Sequence, residues 1–275
     1  MAKVYDLSQL LFNGSVMWPR LVGEVQIRAR AFGGIRSTGW SKLNHPGWHD
    51  MAWPFPFNQA VPGGQAGGYC GHLHAATHVD APIYAIPGGL TADKIPFGNL
   101  YGTGVIIDMR NKKKWDTITA ADFEKATPKI QAGDFVVVNT GWQKKLSPEK
   151  QYGYYNYYPG LVPRAAEWLI KKKIKAIAGT WPVCDHSLSF APLEKNMPWL
   201  YQDYVRETGK KPESIRGLGG FEECLVMFLK AGISCVQQAG GEIDKVTGKR
   251  LTICAFPFRL EDTDASMVRL VAIEE

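Results

Sequence analysis

The stretch GHLHAATHVDAP, residues 71–82, holds three of the six histidines of the chain. Within it, His74, His78 and Asp80 follow the pattern H-x-x-x-H-x-D. Imidazole nitrogens and carboxylates are common protein ligands of Zn²⁺ and Mn²⁺, and three such ligands leave coordination positions for water. The pattern therefore predicts a site for one divalent metal ion, Mn²⁺ or Zn²⁺. The alternative reading is a surface cluster of histidines, or polar side chains satisfied beside the core.

The residues of this stretch favour an extended backbone. Pro82 disfavours a helix immediately before it, and the β-branched Thr77 favours a strand. In a strand His78 and Asp80, two positions apart, point to the same side. Ala75 stands where the zinc-protease motif H-E-x-x-H has its glutamate, so the sequence excludes that type of protease.

The apolar runs along the chain predict an α/β fold. Six of them are short and strand-like, at residues 105–108, 135–139, 176–179, 233–237, 251–256 and 267–273. Three stretches have helical character, at residues 120–126, 163–173 and 220–230. The last of these carries apolar residues at helical spacing and has Glu222 and Glu223 near its start, where the helix dipole favours acidic groups. Strands outnumber helices, which predicts a mixed, β-rich sheet core with flanking helices.

Length and composition predict one domain over residues 1–275. A chain with 45% hydrophobic and 21% charged residues has the composition of a soluble globular protein. No apolar run approaches the ~18 residues of a membrane span, and the N-terminus lacks an apolar signal core, so we expect a cytoplasmic protein with no membrane partner. The five cysteines form no short paired motif, which indicates free thiols in a reducing compartment.

The net charge of +6 raises the question of a nucleic-acid partner. Lysine clusters at residues 112–114 and 171–173 read instead as a turn and a helix end, where cations complement the helix dipole. No nucleic-acid-binding motif accompanies them. We therefore expect a small-molecule substrate and no nucleic acid.

Residues from about 14 to 70 form an irregular, aromatic-rich segment. Long irregular segments in compact domains are usually functional or disordered, and the aromatic content argues against disorder. We interpret the segment as a loop that covers an apolar site or reaches another subunit, with an ordinary core or dimer contact as the alternative. Trp53 in this segment and Trp181 elsewhere are the candidate substrate-binding residues.

Further motifs accompany residues 71–82 in a fixed order. They are IPGGLT at 86–91, GVIID at 104–108, AGDFVVVNTGW at 132–142, YPGL at 158–161, DHSL at 185–188 and FPFR at 256–259. Together these stretches resemble the metal-dependent hydrolases called the cyclase family, which includes bacterial kynurenine formamidases and isatin hydrolases. The resemblance covers roughly residues 5 to 273, and it implies a single domain of the swivelling β/β/α type.

The chain departs from the family pattern at several positions. Ala76 replaces a glycine, and Tyr84 replaces the last histidine of the signature, which in the family is thought to assist proton transfer. Leu225 and Gln237 fall where the family has the histidine and glutamate of a second metal site. The resemblance thus implies one ion, with Gln237 as a further oxygen ligand or, alternatively, as an ordinary amide at a strand end.

The motif and the resemblance together predict a metal-dependent hydrolase acting on an amide, lactam or ester of an aromatic or cyclic small molecule, with metal-activated water as nucleophile. His186 and Tyr84 are the candidate catalytic residues, with Glu222 and Glu223 as further candidates for proton transfer. A thiolate at Cys184 is a less favoured alternative. The competing functions are a metal-dependent cyclase or dehydratase and a non-catalytic, metal-containing binding protein. We expect a homodimer or higher homo-oligomer.

Overall fold

Nine strands form one mixed sheet in the part of the chain that the structure describes. The structure is a computed structural model and describes residues 2–11, 26–31, 65–70, 73–147, 150–190 and 192–275. The sheet order is β1-β13-β11-β5-β7-β9-β10-β4-β12. The strands of the structure are β1 Lys3–Asp6, β2 Gln26–Ala31, β3 Gln65–Cys70, β4 His78–Asp80, β5 Tyr101–Asp108, β6 Thr117–Ile118, β7 Phe135–Asn139, β8 Gly160–Leu161, β9 Ala176–Gly179, β10 Ser234–Gln237, β11 Arg250–Cys254, β12 Ala265–Met267 and β13 Val271–Glu274.

The centre of the sheet is parallel, and its edges are antiparallel. Strands β5, β7, β9 and β10 run parallel to one another, whereas β4 and β12 on one side and β11, β13 and β1 on the other are antiparallel to their neighbours. The helices are α1 Phe97–Leu100, α2 Ala120–Lys125, α3 Gln151–Asn156, α4 Pro163–Lys171, α5 Leu193–Asn196, α6 Pro198–Thr208, α7 Glu223–Lys230 and α8 Ile243–Val246. The predicted α/β class, with a mixed β-rich sheet and flanking helices, is confirmed.

The central strands are buried on both faces, as their continuous apolar sequences require. In β5, Val105 and Ile107 belong to a core cluster that also contains residues of α2, α4 and α7. Ile106 belongs to the cluster on the opposite face, which includes residues of α1 and α8. Since side chains alternate along a strand, one apolar run supplies both cores.

Two predicted elements differ from the structure. The run at residues 267–273 is two strands rather than one, because β12 pairs with β4 and β13 pairs with β11 and β1. Within the segment predicted to be irregular, β2 and β3 form an antiparallel pair in the register Gln26↔Cys70. Trp53 lies outside the described residues. Within the described residues no helix is long and apolar enough to cross a membrane.

The motif at residues 158–161 packs directly against the motif at 185–188. Leu161 forms a parallel bridge with Asp185, and a Cβ atom at Gly160 would lie 2.3 Å from the carbonyl oxygen of Asp185. Only glycine permits this approach of two main chains. The contact fixes the position of Asp185, whose carboxylate accepts the backbone N–H groups of Cys224 and Leu225 at the start of α7 at 2.7 and 3.0 Å.

Candidate metal centre

His74, His78 and Asp80 come together on one side of β4. One donor atom from each lies within 4.8 Å of the others. His78 and Asp80 lie two positions apart on β4, which is paired with β10 on one side and β12 on the other. Both side chains are buried, and a strand held on two sides restrains them. The predicted extended conformation of this part of the motif is thus present in the structure.

Hydrogen bonds on the outer ring atoms orient both imidazoles. The Nδ1–H of His78 donates to the carbonyl oxygen of Ala76 at 2.8 Å, which leaves Nε2 beside Asp80 at 3.4 Å from Oδ1. His74 presents Nδ1 to Asp80 Oδ1 at 2.9 Å and Nε2 to Asp264 Oδ2 at 3.2 Å. A carbonyl or carboxylate on the outer nitrogen is the usual support of a metal-binding histidine.

The sequence did not predict the structural roles of two residues in this arrangement, Asp264 and Ala76. Asp264 lies 190 positions from His74, and no motif around it indicates a partnership. Ala76 has a φ of 50°, in the left-handed region that glycine adopts most readily. The glycine that the family pattern places there was the available signal for this turn.

Gln237 lies beside His78 in the β4–β10 register. Its side-chain Nε2 donates to Asp80 Oδ2 at 2.8 Å, and its Oε1 accepts the indole N–H of Trp181 at 3.1 Å. The structure thus brings Gln237 to the cluster, with Trp181 behind it. Trp181 is fully buried and supports Gln237 rather than facing solvent. Leu225, at the position of the family's second-site histidine, is a core residue of α7.

The electrostatics of the cluster favour positive charge. Burial opposes ionisation of His74, but hydrogen bonds to Asp264 and Asp80 outweigh it and raise the pKa of His74 to about 10. Burial likewise opposes ionisation of Asp80, but the hydrogen bond from His74 and the charge of His78 hold the pKa of Asp80 well below its ordinary value. Two carboxylates around two imidazoles thus form a donor set suited to a divalent cation.

Tyr84 and Glu222 lie next to the cluster. Tyr84 is in a 3₁₀ turn, Pro82–Tyr84, and its ring centroid lies 4.8 Å from that of His74. The Tyr84 hydroxyl donates to Glu222, with oxygen distances of 2.8 and 3.1 Å to the two carboxylate oxygens. Burial and the Glu222 charge raise the pKa of Tyr84 above its ordinary value, so the phenol is neutral near pH 7.

His186 has a different environment from the one predicted for a proton-transfer residue. It is 1% exposed; its Nε2–H donates to the carbonyl oxygen of Trp115 at 2.9 Å, and its Nδ1 accepts the backbone N–H of Leu188 at 3.1 Å. Burial lowers its pKa to about 4. Both ring nitrogens are therefore engaged by main chain, which is the pattern of a structural histidine.

Cys184 is equally unsuited to nucleophilic chemistry. The side chain is buried in the core, and burial raises the pKa of its thiol well above the ordinary value. Reactive cysteines need a lowered pKa and partial exposure. The alternative of a thiolate at Cys184 is therefore wrong.

A family model matches most of the chain. The model of the Cyclase family, described as "Putative cyclase", matches residues 5–186, about two thirds of the chain, and the chain belongs to this family. No curated protein is a match.

Solved structures share the fold over nearly the whole chain. Isatin hydrolase A from Labrenzia aggregata, bound to benzyl benzoate, is 18% identical with a TM-score of 0.66. The superposition covers 99% of this chain and 94% of the isatin hydrolase chain. Isatin hydrolase A from Ralstonia solanacearum is 20% identical with a TM-score of 0.65, over 100% and 92%. A predicted metal-dependent hydrolase from Bacillus stearothermophilus is 18% identical with a TM-score of 0.63, over 100% of both chains. At these identities the likeness defines the fold.

Proposed function

We propose that the protein is a metal-dependent hydrolase that cleaves an amide, lactam or ester bond in an aromatic or cyclic small molecule. The observation that carries this proposal is the buried cluster of His74, His78 and Asp80, with donor atoms within 4.8 Å of one another, in a chain of the Cyclase family. Buried ionisable groups of this kind are expensive unless they are paired or bind a metal.

The donor set supports one divalent ion, Mn²⁺ or Zn²⁺. His74 and His78 would hold it through nitrogen and Asp80 through oxygen. Gln237 would add an oxygen donor once its amide turns, because here Nε2 faces Asp80 and Oε1 accepts the Trp181 N–H. The outer hydrogen bonds to Asp264 and to the carbonyl of Ala76 leave one ring nitrogen of each histidine available inside the cluster. An ion of this kind supplies a water of lowered pKa and polarises a carbonyl group when it is bound.

One feature of the site and one comparison support the proposed substrate class. Tyr84 is 36% exposed at the edge of the cluster, and its neutral hydroxyl donates to Glu222, so the oxygen can still accept a hydrogen bond from a water or an amide N–H. Among proteins of the same fold, isatin hydrolases act on a cyclic amide, as their name states. We therefore place cyclic amides such as isatin, and N-formyl amides, first among substrates.

Metal dependence and product mass test the proposal together. The purified chain is analysed for metal, stripped with a chelator, and assayed on isatin, N-formylkynurenine and small lactams before and after Mn²⁺ or Zn²⁺ is restored. We expect turnover only with metal, about one ion per chain, and products heavier than their substrates by one water.

Other outcomes of this experiment discriminate the competing functions. A product with no added water would indicate a cyclase or dehydratase. Turnover that survives metal removal would contradict the proposal. Two ions per chain would show that residues other than Leu225 and Gln237 complete a second site.

A further inference from the structure

Glu222 and Tyr84 form a hydrogen-bonded acid–hydroxyl pair against the metal centre. Glu222 is 7% exposed, and its two carboxylate oxygens both lie within hydrogen-bonding distance of the Tyr84 hydroxyl. On its other side Tyr84 packs against His74, and the two ring centroids lie 4.8 Å apart. The Tyr84 hydroxyl therefore connects the buried Glu222 carboxylate with the edge of the metal centre.

The local backbone holds Glu222 in this position. Glu222 precedes α7 and has φ 49° and ψ 30°, in the left-handed region that side-chain-bearing residues seldom adopt. Its carbonyl accepts the N–H of Val226 and so begins the helix, while the Asp185 carboxylate accepts the next free N–H groups of α7. An unfavourable conformation that the surroundings enforce is typical of functional sites.

We propose that Glu222, acting through the Tyr84 hydroxyl, is the proton acceptor and donor of the hydrolysis. This inference rests on the proposed function. The attacking water gives one proton to the Tyr84 oxygen as the phenol passes its own proton to Glu222, and the C–O bond forms. The reverse transfer delivers the proton to the amide nitrogen as the C–N bond breaks, so that Glu222 and Tyr84 return to their starting states.

The charges around Glu222 suit this role. The titratable groups that face it are Tyr84, Asp80, Asp185 and His74. Burial raises the pKa of Glu222, the Tyr84 hydrogen bond opposes the rise, and the charges of Asp80 and Asp185 add to it, which places the pKa at about 7. A group that gains and loses a proton in one cycle works best with a pKa near the working pH.

Glu223 offers a matched control. It is the next residue along the chain, and its carboxylate accepts the backbone N–H of Gly220 at 2.7 Å. The sequence named Glu223 beside Glu222 as a candidate for proton transfer, but among the described contacts no hydrogen bond joins Glu223 to Tyr84, and the pair therefore excludes it. Replacing Glu223 by glutamine therefore changes the same charge at nearly the same place without touching the pair.

The test compares Glu222→Gln with Glu223→Gln on the substrate that the parent protein turns over best. We expect Glu222→Gln to lower kcat by ~10²-fold or more, the scale of a lost general base, and to abolish the acidic limb of the pH–rate profile. Mn²⁺ affinity, measured by calorimetric titration, is expected to stay at the parent value in both variants. Glu223→Gln is expected to keep the parental rate and profile.

Tyr84→Phe provides the second measurement. This variant removes the hydroxyl through which the proton passes, so kcat is expected to fall about as far as in Glu222→Gln, by ~10²-fold. The double variant Tyr84→Phe/Glu222→Gln is expected to be no slower than Glu222→Gln, because the two residues act as a unit.

The outcomes separate this inference from the proposed function. A parent protein that hydrolyses none of the substrates with metal bound overturns both. A parent that hydrolyses one of them, with Glu222→Gln retaining the rate and the acidic limb, overturns the role of Glu222 alone. Multiplicative losses in the double variant would show that Tyr84 and Glu222 act separately and would overturn the relay.

Discussion

His186 and Glu222 are two buried titratable side chains with opposite surroundings. Burial lowers the pKa of His186 to about 4 and raises that of Glu222 to about 7, in each case by disfavouring the charged form. His186 is bound by main-chain groups at both nitrogens, whereas Glu222 is bound by one hydroxyl that is itself partly exposed.

The difference shows how the partners of a buried group decide its role. Main-chain partners hold His186 in one tautomer and cannot pass its proton onward. A side-chain hydroxyl can accept one proton as it donates another, so the partner of Glu222 extends its reach to the metal centre. The sequence favoured His186 as a catalytic residue because it lies in a family motif. The structure shows that this motif stabilises the fold, since its first residue, Asp185, accepts backbone N–H groups at the start of α7.

The largest expected effect tests whether the chemistry takes place at the metal centre beside Glu222. Asp80→Ala removes the carboxylate that contacts both histidines and Gln237. We expect loss of bound metal and a fall of turnover to background, with the far-UV circular dichroism of the parent. Metal analysis of the purified variant is the measurement, and full occupancy would remove Asp80 from the ligand set.

The second prediction concerns the structural side of the comparison. His186→Ala leaves a cavity and removes the partners of Trp115 O and Leu188 N–H. We expect a loss of about 3–4 kcal/mol in the free energy of unfolding, measured by urea titration. The folded fraction is expected to keep the parental pH–rate profile. A shifted profile with unchanged stability would return His186 to the chemistry.

The third prediction uses the opposite pH dependence of the two groups. The unfolded chain protonates His186 below about pH 6.5 and the folded chain only near 4, so the unfolded state binds more protons and stability falls as the pH falls through this window. The folded chain keeps a proton on Glu222 between about pH 4.5 and 7 that the unfolded chain releases, so this contribution falls as the pH rises.

Glutamine variants isolate the contributions of His186 and Glu222 to the pH dependence of stability. Relative to His186→Gln, the parent is expected to lose up to about 3 kcal/mol between pH 6.5 and 4. Relative to Glu222→Gln, the parent is expected to lose stability as the pH rises from 4.5 to 7. Urea unfolding of metal-free protein across pH gives both curves, and parallel curves for parent and variants would mean that neither group titrates as the structure implies.

The smallest expected effect concerns Asp264, the outer partner of His74. Asp264→Asn keeps the shape of the side chain but removes its charge, and we expect metal affinity to fall ~10-fold, the lower end of the range for such partners, because Asp264 is half exposed. Competition with a chelator measures the affinity. Asp262→Asn is the control, since Asp262 pairs with Lys94 at the surface; an equal effect in both variants would indicate a general loss of negative charge.

Much of the metal centre could be predicted from local sequence. His78 and Asp80 share a face because side chains alternate along a strand, and Pro82 and the β-branched residues make the stretch extended wherever it lies. The central strands were predictable for a similar reason, since runs such as residues 135–139 carry apolar side chains for both faces of a buried sheet. These features depend on neighbours only a few positions away.

Other features depend on partners that no local pattern specifies. The helical spacing of residues 220–230 predicts one continuous helix, yet Glu222 lies outside it in a left-handed turn, because Asp185 and Tyr84, from distant parts of the chain, hold the two sides of that turn. Pairing with β4 separates β12 from β13 in the same way.

The sequence by itself determined the α/β class and the ligand pattern, because both follow from the periodicity of the backbone and the chemistry of neighbouring side chains. Only the tertiary structure decided which buried group can exchange protons. That choice depends on contacts across 138 positions between Tyr84 and Glu222 and across 71 between His186 and Trp115. Burial shifts every ionisable group, and the partner that the fold supplies determines whether the shift serves stability or chemistry.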